Sequence, residues 1–468
     1  MDAALIEELA QAVGPELVHS DAETLKSRRF DRWAINHYRD WQEQDLPLPG
    51  CVVRPKSVED VQKVVRFASE NTVPLMPFGL GSGVCGGIVA DTDSIMIDMS
   101  EMNRVRSIDE DNMLASFDAG VNGMEAEELI AAKGMTIGNW PQSIAISSVG
   151  GWVSTRASGQ FSTAYGNIED IIYSIEAVMP NGDIVNLGKA PRAAAGPDMR
   201  HLLMGAEGTM GIITGVTFSL RNQPEHRSFS AYHTKTMDDG FQMQRAVMKA
   251  DWRPPVMRQY DAPEVQRLFG NYVKDDNSLL IMVHEGPQSR VEAEMEAIKS
   301  FAAERGLTEA DPKAAEGWMD HRNNVPEWTD LFKTGLIADT IEISGKWTEI
   351  GRIYKDAIAA LRTVPKILNA SAHSSHVYRS GINLYFTFAG SINEPDEVEK
   401  FYFDCWDKVL SATAAAGGGV AHHHGSGRLR KEYIHHDLGK NGVKLLRSIK
   451  KSVDPQGLMN SGNLLPDE

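Results

Sequence analysis

A chain of 468 residues is too long for one hydrophobic core, so two or three domains are expected. With 42% hydrophobic and 24% charged residues, the composition is that of an ordinary soluble globular protein. Sixty-four acidic against 47 basic residues leave a charge of −17, which argues against nucleic acid or an anionic membrane as the main partner. Any anionic ligand must be met by a local basic pocket.

The start, "MDAALIEELAQAVG", carries acids rather than a basic segment and a long apolar run, so it does not read as a secretory signal. Residues 4–13 and 21–45 read as polar helices with Trp33 and Trp41 as packing anchors, and "LPLPGCVVRP" then breaks the pattern. A helical extension over 1–47 is expected, followed by a domain over 48–222. Ser57 and Asp60 have near capping-box spacing, and Val61, Val64, Val65 and Ala68 follow on one helical face. Strands are expected over 73–78, 94–99, 171–179 and 211–220, with a helix over about 123–133. "RNQPEH" (221–226) reads as a linker. A second, α+β domain over 223–425 contains strands at 278–285 and 382–390, and a terminal segment covers 426–468. No apolar stretch approaches the ~18 residues of a membrane span. Cys51, Cys85 and Cys405 form no CxxC pair, so a reducing cytoplasm is the expected compartment.

"GLGSGVCGG" (79–87) lies between two strands and contains no lysine, so neither the phosphate-loop pattern nor a GxGxxG turn running into a helix fits it. Glycines can still offer several backbone N–H groups to a pyrophosphate, because no side chain blocks the approach. Two further small-residue loops occur, "PQSIAISSVGGWVSTRASG" (141–159) and "MGAEGTMGIIT" (204–214). Three such loops across the domain imply one extended ligand, and a dinucleotide the size of FAD matches that demand better than a mononucleotide.

The ordered motifs RPxSxEDVxxVV, PFGLGSGVCGG, PxSxxxSSVGGWxSTRASG and GxEGTxGIIT, closed by "VDPQGLMNSGNLLP" (453–466), resemble the vanillyl-alcohol-oxidase and p-cresol-methylhydroxylase superfamily. "GGWVSTRASG", "YGNIED", "GPDMRHLLMGAEGTMGIIT" and "HHHGSGRLRK" are similar to its alkylglycerone-phosphate-synthase branch. The resemblance implies an α+β fold: a two-subdomain α/β FAD-binding domain of the p-cresol-methylhydroxylase type plus an α+β cap, with the C-terminal segment returning to the FAD domain. It implies that Pro77, Gly79, Leu80, Gly81, Ser82 and Gly83 cradle the FAD pyrophosphate. Pro141, Ser143, Ser147, Ser148, Gly150 and Gly151 would line the dinucleotide, joined by Ser154, Ser158 and Gly159. Glu207, Gly208, Gly211 and Ile213 would hold the adenosine half by backbone contact, with Asn463 contributing from the tail. Arg258 matches an arginine near the flavin ring. The loop lacks the histidine that carries covalent flavin, so non-covalent FAD is implied.

Departures bear on the substrate. Asn139 and Gln142 stand where the synthase has histidine and aspartate, and Ala338 stands where a loose alignment puts an arginine, which weakens an alkylglycerone-phosphate reading. The related D-2-hydroxyacid dehydrogenases resemble the chain less at their metal motif: His376 survives, but Tyr385 and His423 replace a histidine and a glutamate, so no metal is expected. The same resemblance places His422, His423 and His424 over the reacting face of the flavin, with Tyr385 opposite. Histidine suits removal of a hydroxyl proton, its ordinary pKa of ~6.5 lying near working pH. Arg428, Arg430 and Lys431 read as a solvated helix start able to pair an anion; His373, His435 and His436 read as surface residues. The expected activity is FAD-dependent oxidation of a small hydroxylated substrate, a 2-hydroxyacid or an alcohol, by proton abstraction and hydride transfer to flavin N5. The alternatives are a synthase-like ether-forming reaction and a non-catalytic flavin subunit of a complex. Expected partners are that small molecule, which an anionic group would suit, an electron acceptor of open type, and a second copy of the chain.

Overall fold

Val61, Val64, Val65 and Ala68 are all buried along one side of the helix Val58–Asn71, and Ser57 Oγ accepts a hydrogen bond from Asp60 N–H at its start. This local agreement between pattern and structure recurs through the chain, for which the computed structural model describes residues 1–273, 276–392 and 394–467. The chain divides into two units. One comprises Met1–Ser158, Asn167–Asn222 and His423–Glu468; the other comprises Gly159–Gly166 and Gln223–His422.

The first unit contains two main sheets. Val18–His19, Cys51–Val53, Ile95–Asp98 and Leu75–Phe78 form a four-stranded sheet in that order, parallel except for its first pair. Val105–Asp109, Leu114–Asp118, Ile212–Ser219, Ile172–Val178 and Ile184–Leu187 form an antiparallel five-stranded sheet. Burial of continuous Val/Ile runs on the parallel strands is what a sheet covered on both faces requires.

Residues 1–47 are not set apart from this unit. Leu9, Val13 and Leu17 enter its hydrophobic core, and Val18 and His19 pair with Val53 and Val52. Nor is 21–45 one helix: it breaks between Ala22–Ser27 and Ala34–Trp41. Within the break Arg28 Nε reaches the buried Asp98 carboxylate, 2.9 Å away, and Asp31 turns inward, so side-chain pairing there outweighs helical continuation. Trp33 is buried as an anchor, but Trp41 is 39% exposed. At the other end Leu75 N–H donates to Leu458 O, which fastens the C-terminal segment beside the strand that precedes the glycine loop.

The second unit is built on a seven-stranded sheet in the order Thr308–Glu309, His226–Thr234, Ser278–Gly286, Val256–Tyr260, Ile367–His373, Gly381–Ser391 and Leu336–Lys346. Ser230 Oγ, His284 and Glu294 form a serine–imidazole–carboxylate chain, with contacts of 2.9 and 2.8 Å. His284 is fully buried, so no leaving group can reach its ring nitrogen, and the trio fastens the helix Gln288–Glu304 to the sheet. Among the described residues, no helix is long and apolar enough to cross a membrane.

Candidate functional site

The glycine loop of the first unit follows the strand Leu75–Phe78. Residues 79–84 are half-buried, and the peptide N–H groups of residues 80–84 take no partner among the described residues. Such a row of unspent donors, with small residues at 81–83, is suited to take an anion. Its walls are tight. A methyl on Gly79 would lie 2.5 Å from Ser148 Oγ, and one on Gly208 would lie 2.2 Å from Pro77 Cγ.

The structure thus gathers Pro77, Gly79, Ser148, Gly151, Glu207, Gly208 and Asn463 around one locus. Ser148 caps the helix Val149–Thr155 by accepting from Gly151 N–H, while Gly150 packs on Ala119. Other expected contacts are spent within the protein. Ser147 Oγ accepts from Trp152 Nε1, and the carbonyls of Pro141 and Ser143 close local turns. Glu207 N–H donates to Ser154 O and Glu207 O accepts from Asn460 Nδ2, so a dinucleotide has little of that backbone to use. The Glu207 carboxylate instead holds Ser426 N–H, Gly427 N–H and Asn463 Nδ2. Ile213 pairs with Ala177 inside the five-stranded sheet and Gly211 packs on Val178 O. Ser158 is buried, and Gly159 belongs to the other unit, where its carbonyl accepts from Ser162 N–H.

Asp31, absent from the sequence expectations, lies directly behind the loop. Its Oδ2 would be 3.0 Å from a methyl on Gly83, and its Oδ1 accepts from Trp33 N–H. Burial pushes its carboxyl up to about 7, against the pull of the Trp33, Ile88 and Gly87 amides and with added repulsion from Glu207. Glu207 is raised as well, chiefly by burial, although the Ser426 and Gly427 amides oppose this. A folded-state value above the unfolded one means that the folded chain holds the proton more firmly. The stabilisation is then fully present below about pH 4 and is lost as pH rises towards 7. At about 1.36 kcal/mol per tenfold in proton affinity, roughly 4 kcal/mol is involved. Urea midpoints at pH 5 and pH 8 should therefore differ less for Asp31→Asn than for the native protein; an equal pH dependence would show that Asp31 titrates as an ordinary surface acid.

The C-terminal cations differ from a solvated helix start. Arg430 is fully buried and its Nη1 donates to Gly425 O, while Arg428 Nη2 reaches Ser461 O at 3.2 Å. Arg430 closes the turn after the histidines on itself and Arg428 ties it to the tail of this unit; Lys431 pairs with Asp467.

In the second unit, Tyr260, His373 and Tyr385 are register partners on three neighbouring strands. Their rings stack, with His373 5.0 Å from each tyrosine ring. Arg258, two residues from Tyr260 and 8% exposed, donates from Nε to Tyr260 Oη at 2.7 Å and lies over the Trp318 ring. Arg258 Nη2 lies 2.8 Å from His373 Nε2, and His373 Nδ1 lies 2.7 Å from Glu264. His373 is therefore a buried part of this cluster and not a surface residue. Burial and the Arg258 charge depress its pKa despite Glu264, so it is neutral at working pH. Burial raises the phenol of Tyr385, so that side chain stays protonated. Sequence reasoning also missed Glu264 and Tyr260; the only available signal was their nearness to Arg258, Tyr260 two residues on along the same strand and Glu264 six residues on in the first turn of the helix Ala262–Phe269.

The histidine triplet straddles the two units. In the second, Tyr378 Oη lies 2.7 Å from His422 Nε2, and the rings of His376 and His422 are 5.1 Å apart. Ser162 Oγ lies 2.6 Å from His376 Nδ1. In the first unit the rings of His423 and His424 meet edge to face at 4.5 Å.

Residues 49–188 match the family model for the FAD binding domain, and residues 223–464 match that for the C-terminal domain of FAD linked oxidases. The chain is 33% identical to the uncharacterized FAD-linked oxidoreductase YgcU of Escherichia coli (strain K12), covering 100% of this chain and 99% of that protein. It is 24% identical to the glycolate oxidase subunit GlcD of Bacillus subtilis (strain 168), covering 98% and 96%. A solved alkyldihydroxyacetonephosphate synthase superposes with a TM-score of 0.83 at 24% identity, over 98% of this chain and 86% of that one, which establishes the fold. The loop at 79–84 fits the cofactor these matches imply: its unspent N–H groups can take the two charges of an FAD pyrophosphate, and side chains there would fill the seat.

Proposed function

Because the chain belongs to the FAD-linked oxidases, a family of FAD-dependent oxidoreductases, we propose that it oxidises a small 2-hydroxyacid, with a simple alcohol as the variant substrate. The observation that carries this reading is Arg258, a buried guanidinium fixed by two hydrogen bonds and a Trp318 ring. A cation held so firmly suits an anionic partner, and a 2-hydroxycarboxylate has its anion one carbon from the reacting centre. The name of the GlcD relative, a glycolate oxidase subunit, points to the same substrate class.

Residues 79–84 and Ser148 would hold the FAD non-covalently, and bound FAD supplies the two-electron oxidising chemistry that accepts the substrate hydride. The chain's own groups do the rest. Arg258 orients the carboxylate. A histidine of the 422–424 triplet takes the hydroxyl proton; for His422, the Tyr378 phenol 2.7 Å from Nε2 gives that proton an onward partner. Tyr385, held protonated, offers a donor rather than a base. The three cysteines are free and buried, in accord with a cytoplasmic enzyme.

Anaerobic mixing tests the proposal. Glycolate or a D-2-hydroxyacid should bleach the flavin absorbance of the yellow protein. If no hydroxyacid or alcohol bleaches it while the acyl group of an acylated dihydroxyacetone phosphate exchanges, the synthase-like reaction replaces this reading.

A further inference from the structure

Glu264 is fully buried, yet its carboxylate is one of the most heavily engaged groups in the second unit. It accepts from His373 Nδ1 at 2.7 Å, from Thr387 Oγ1 at 2.7 Å, from Arg267 Nη2 at 3.3 Å and from Ser371 Oγ at 3.4 Å. A carboxylate withdrawn from water is strongly unfavourable unless such bonds compensate it. The bond to His373 has a further consequence.

A guanidinium has only donors. With Arg258 Nη2 2.8 Å from His373 Nε2, that nitrogen must accept. The one ring proton of a neutral His373 is then on Nδ1, aimed at Glu264. Geometry alone fixes the tautomer, without appeal to titration. The ring cannot swing out of this role, because Tyr260 and Tyr385 stack on its two faces at interplanar angles of 26° and 25°. Tyr260 also takes the Nε proton of the same guanidinium, so Arg258 is held at two points of its fork.

We propose that Glu264 and His373 are positioning residues for Arg258: a carboxylate–imidazole–guanidinium chain in which Nδ1-protonated His373 presents a fixed acceptor that aims the guanidinium at the anionic group of the substrate. This rests on the reading of Arg258 as the substrate's anion anchor. A neutral ring matters here, because an imidazolium at the same distance would repel Arg258 and could not accept its proton. Glu264 prevents the alternative tautomer, since an Nε2 proton would face the guanidinium and leave the buried carboxylate opposite a lone pair.

The test uses the full-length, FAD-loaded protein with ¹⁵N-labelled histidine, and oxalate as the anionic probe. Ring-nitrogen NMR of the native protein, with the His373 signals identified by their loss in His373→Phe, should show Nδ1 protonated and Nε2 bare from pH 6 to 9. A proton on Nε2, or conversion to imidazolium in that range, overturns the proposal. In calorimetry, Arg258→Gln should weaken oxalate about 100-fold, and His373→Phe about tenfold with FAD content unchanged, the order expected when a hydrogen bond to a charged group is lost. His373→Gln, whose amide oxygen can replace Nε2 as acceptor, should restore most of that loss. If Arg258→Gln binds oxalate as the native protein does, the anion-anchor reading itself is wrong. If Arg258→Gln weakens binding but His373→Phe does not, the anchor stands and the positioning chain is refuted. Should His373→Phe fail to fold, Glu264→Gln is read in its place and identifies the ring signals by their shift.

Discussion

Arg258→Ala is expected to reduce kcat/KM for a 2-hydroxyacid by roughly 30- to 5,000-fold, with most of the loss in KM. Removing one partner of a buried, hydrogen-bonded charge pair typically costs about 2–5 kcal/mol, and each ~1.4 kcal/mol is tenfold. The upper part of that range is favoured because Arg258 is only 8% exposed, where water competes poorly for the anion. The alanine variant also strands His373 Nε2 and the Tyr260 phenol without their donor, a stability loss separate from the lost charge. Arg258→Lys separates these effects. Lysine keeps the charge but cannot donate in a planar fork to Tyr260 and His373 together, so it should recover stability more than activity. A neutral alcohol should be oxidised by the alanine variant at close to the native rate. Steady-state kinetics on one acid and one alcohol would check this; an unchanged KM for the acid would mean that Arg258 does not bind the substrate.

Much of this architecture was legible in the sequence, and the failures have a common cause. The capped helix at 58–71 and the strands around 75–78, 95–98 and 172–178 follow local pattern, because burial there repeats with the period of each element. The glycine loop stood out as a candidate anion seat because what it can offer lies in the backbone. What pattern could not show is which polar residues turn inward. Asp31, Glu264, His373 and Arg430 are all charged or titratable residues in polar surroundings, so local composition makes each look solvated, yet each is buried, and the first three meet partners far away in the chain. Arg28 and Asp98 are 70 residues apart, and Glu264 and His373 are 109 apart. The resemblance located Arg258 but not the residues that hold it, since these are specified by strand register. Conversely, Ser147 and Glu207 sit in the expected loops but spend their polar groups on the protein itself, and Ile213 is spent in a strand.

Gly208→Ala is expected to strip FAD from the protein and lower its stability by about 2–5 kcal/mol, from the sum of a left-handed backbone penalty of roughly 1–2 kcal/mol and overpacking of roughly 1–3 kcal/mol. Gly208 has φ +74°, and the new methyl would sit 2.2 Å from Pro77 Cγ and 2.9 Å from its Cδ. Ordinary contact needs more than a further ångström, and a proline ring in the strand Leu75–Phe78 cannot rotate away as a flexible side chain does. If Pro77 yields, the following loop at 79–84 moves and the row of N–H groups loses its aim. If residue 208 yields, Glu207 moves with it and releases Ser426 and Gly427. Two other glycines calibrate the result. Gly205 has nearly the same φ, +75°, but its added methyl meets only the side chain of Arg156, which can swing aside. Gly134, at φ +72°, has nothing within 4 Å. Alanine at either position therefore carries the backbone penalty with little clash, and both variants should remain yellow. Flavin absorbance per protein and thermal unfolding of the three variants would decide the matter. A Gly208→Ala protein that retains FAD and melts with Gly134→Ala would show that the contact with Pro77 does not hold the loop in place.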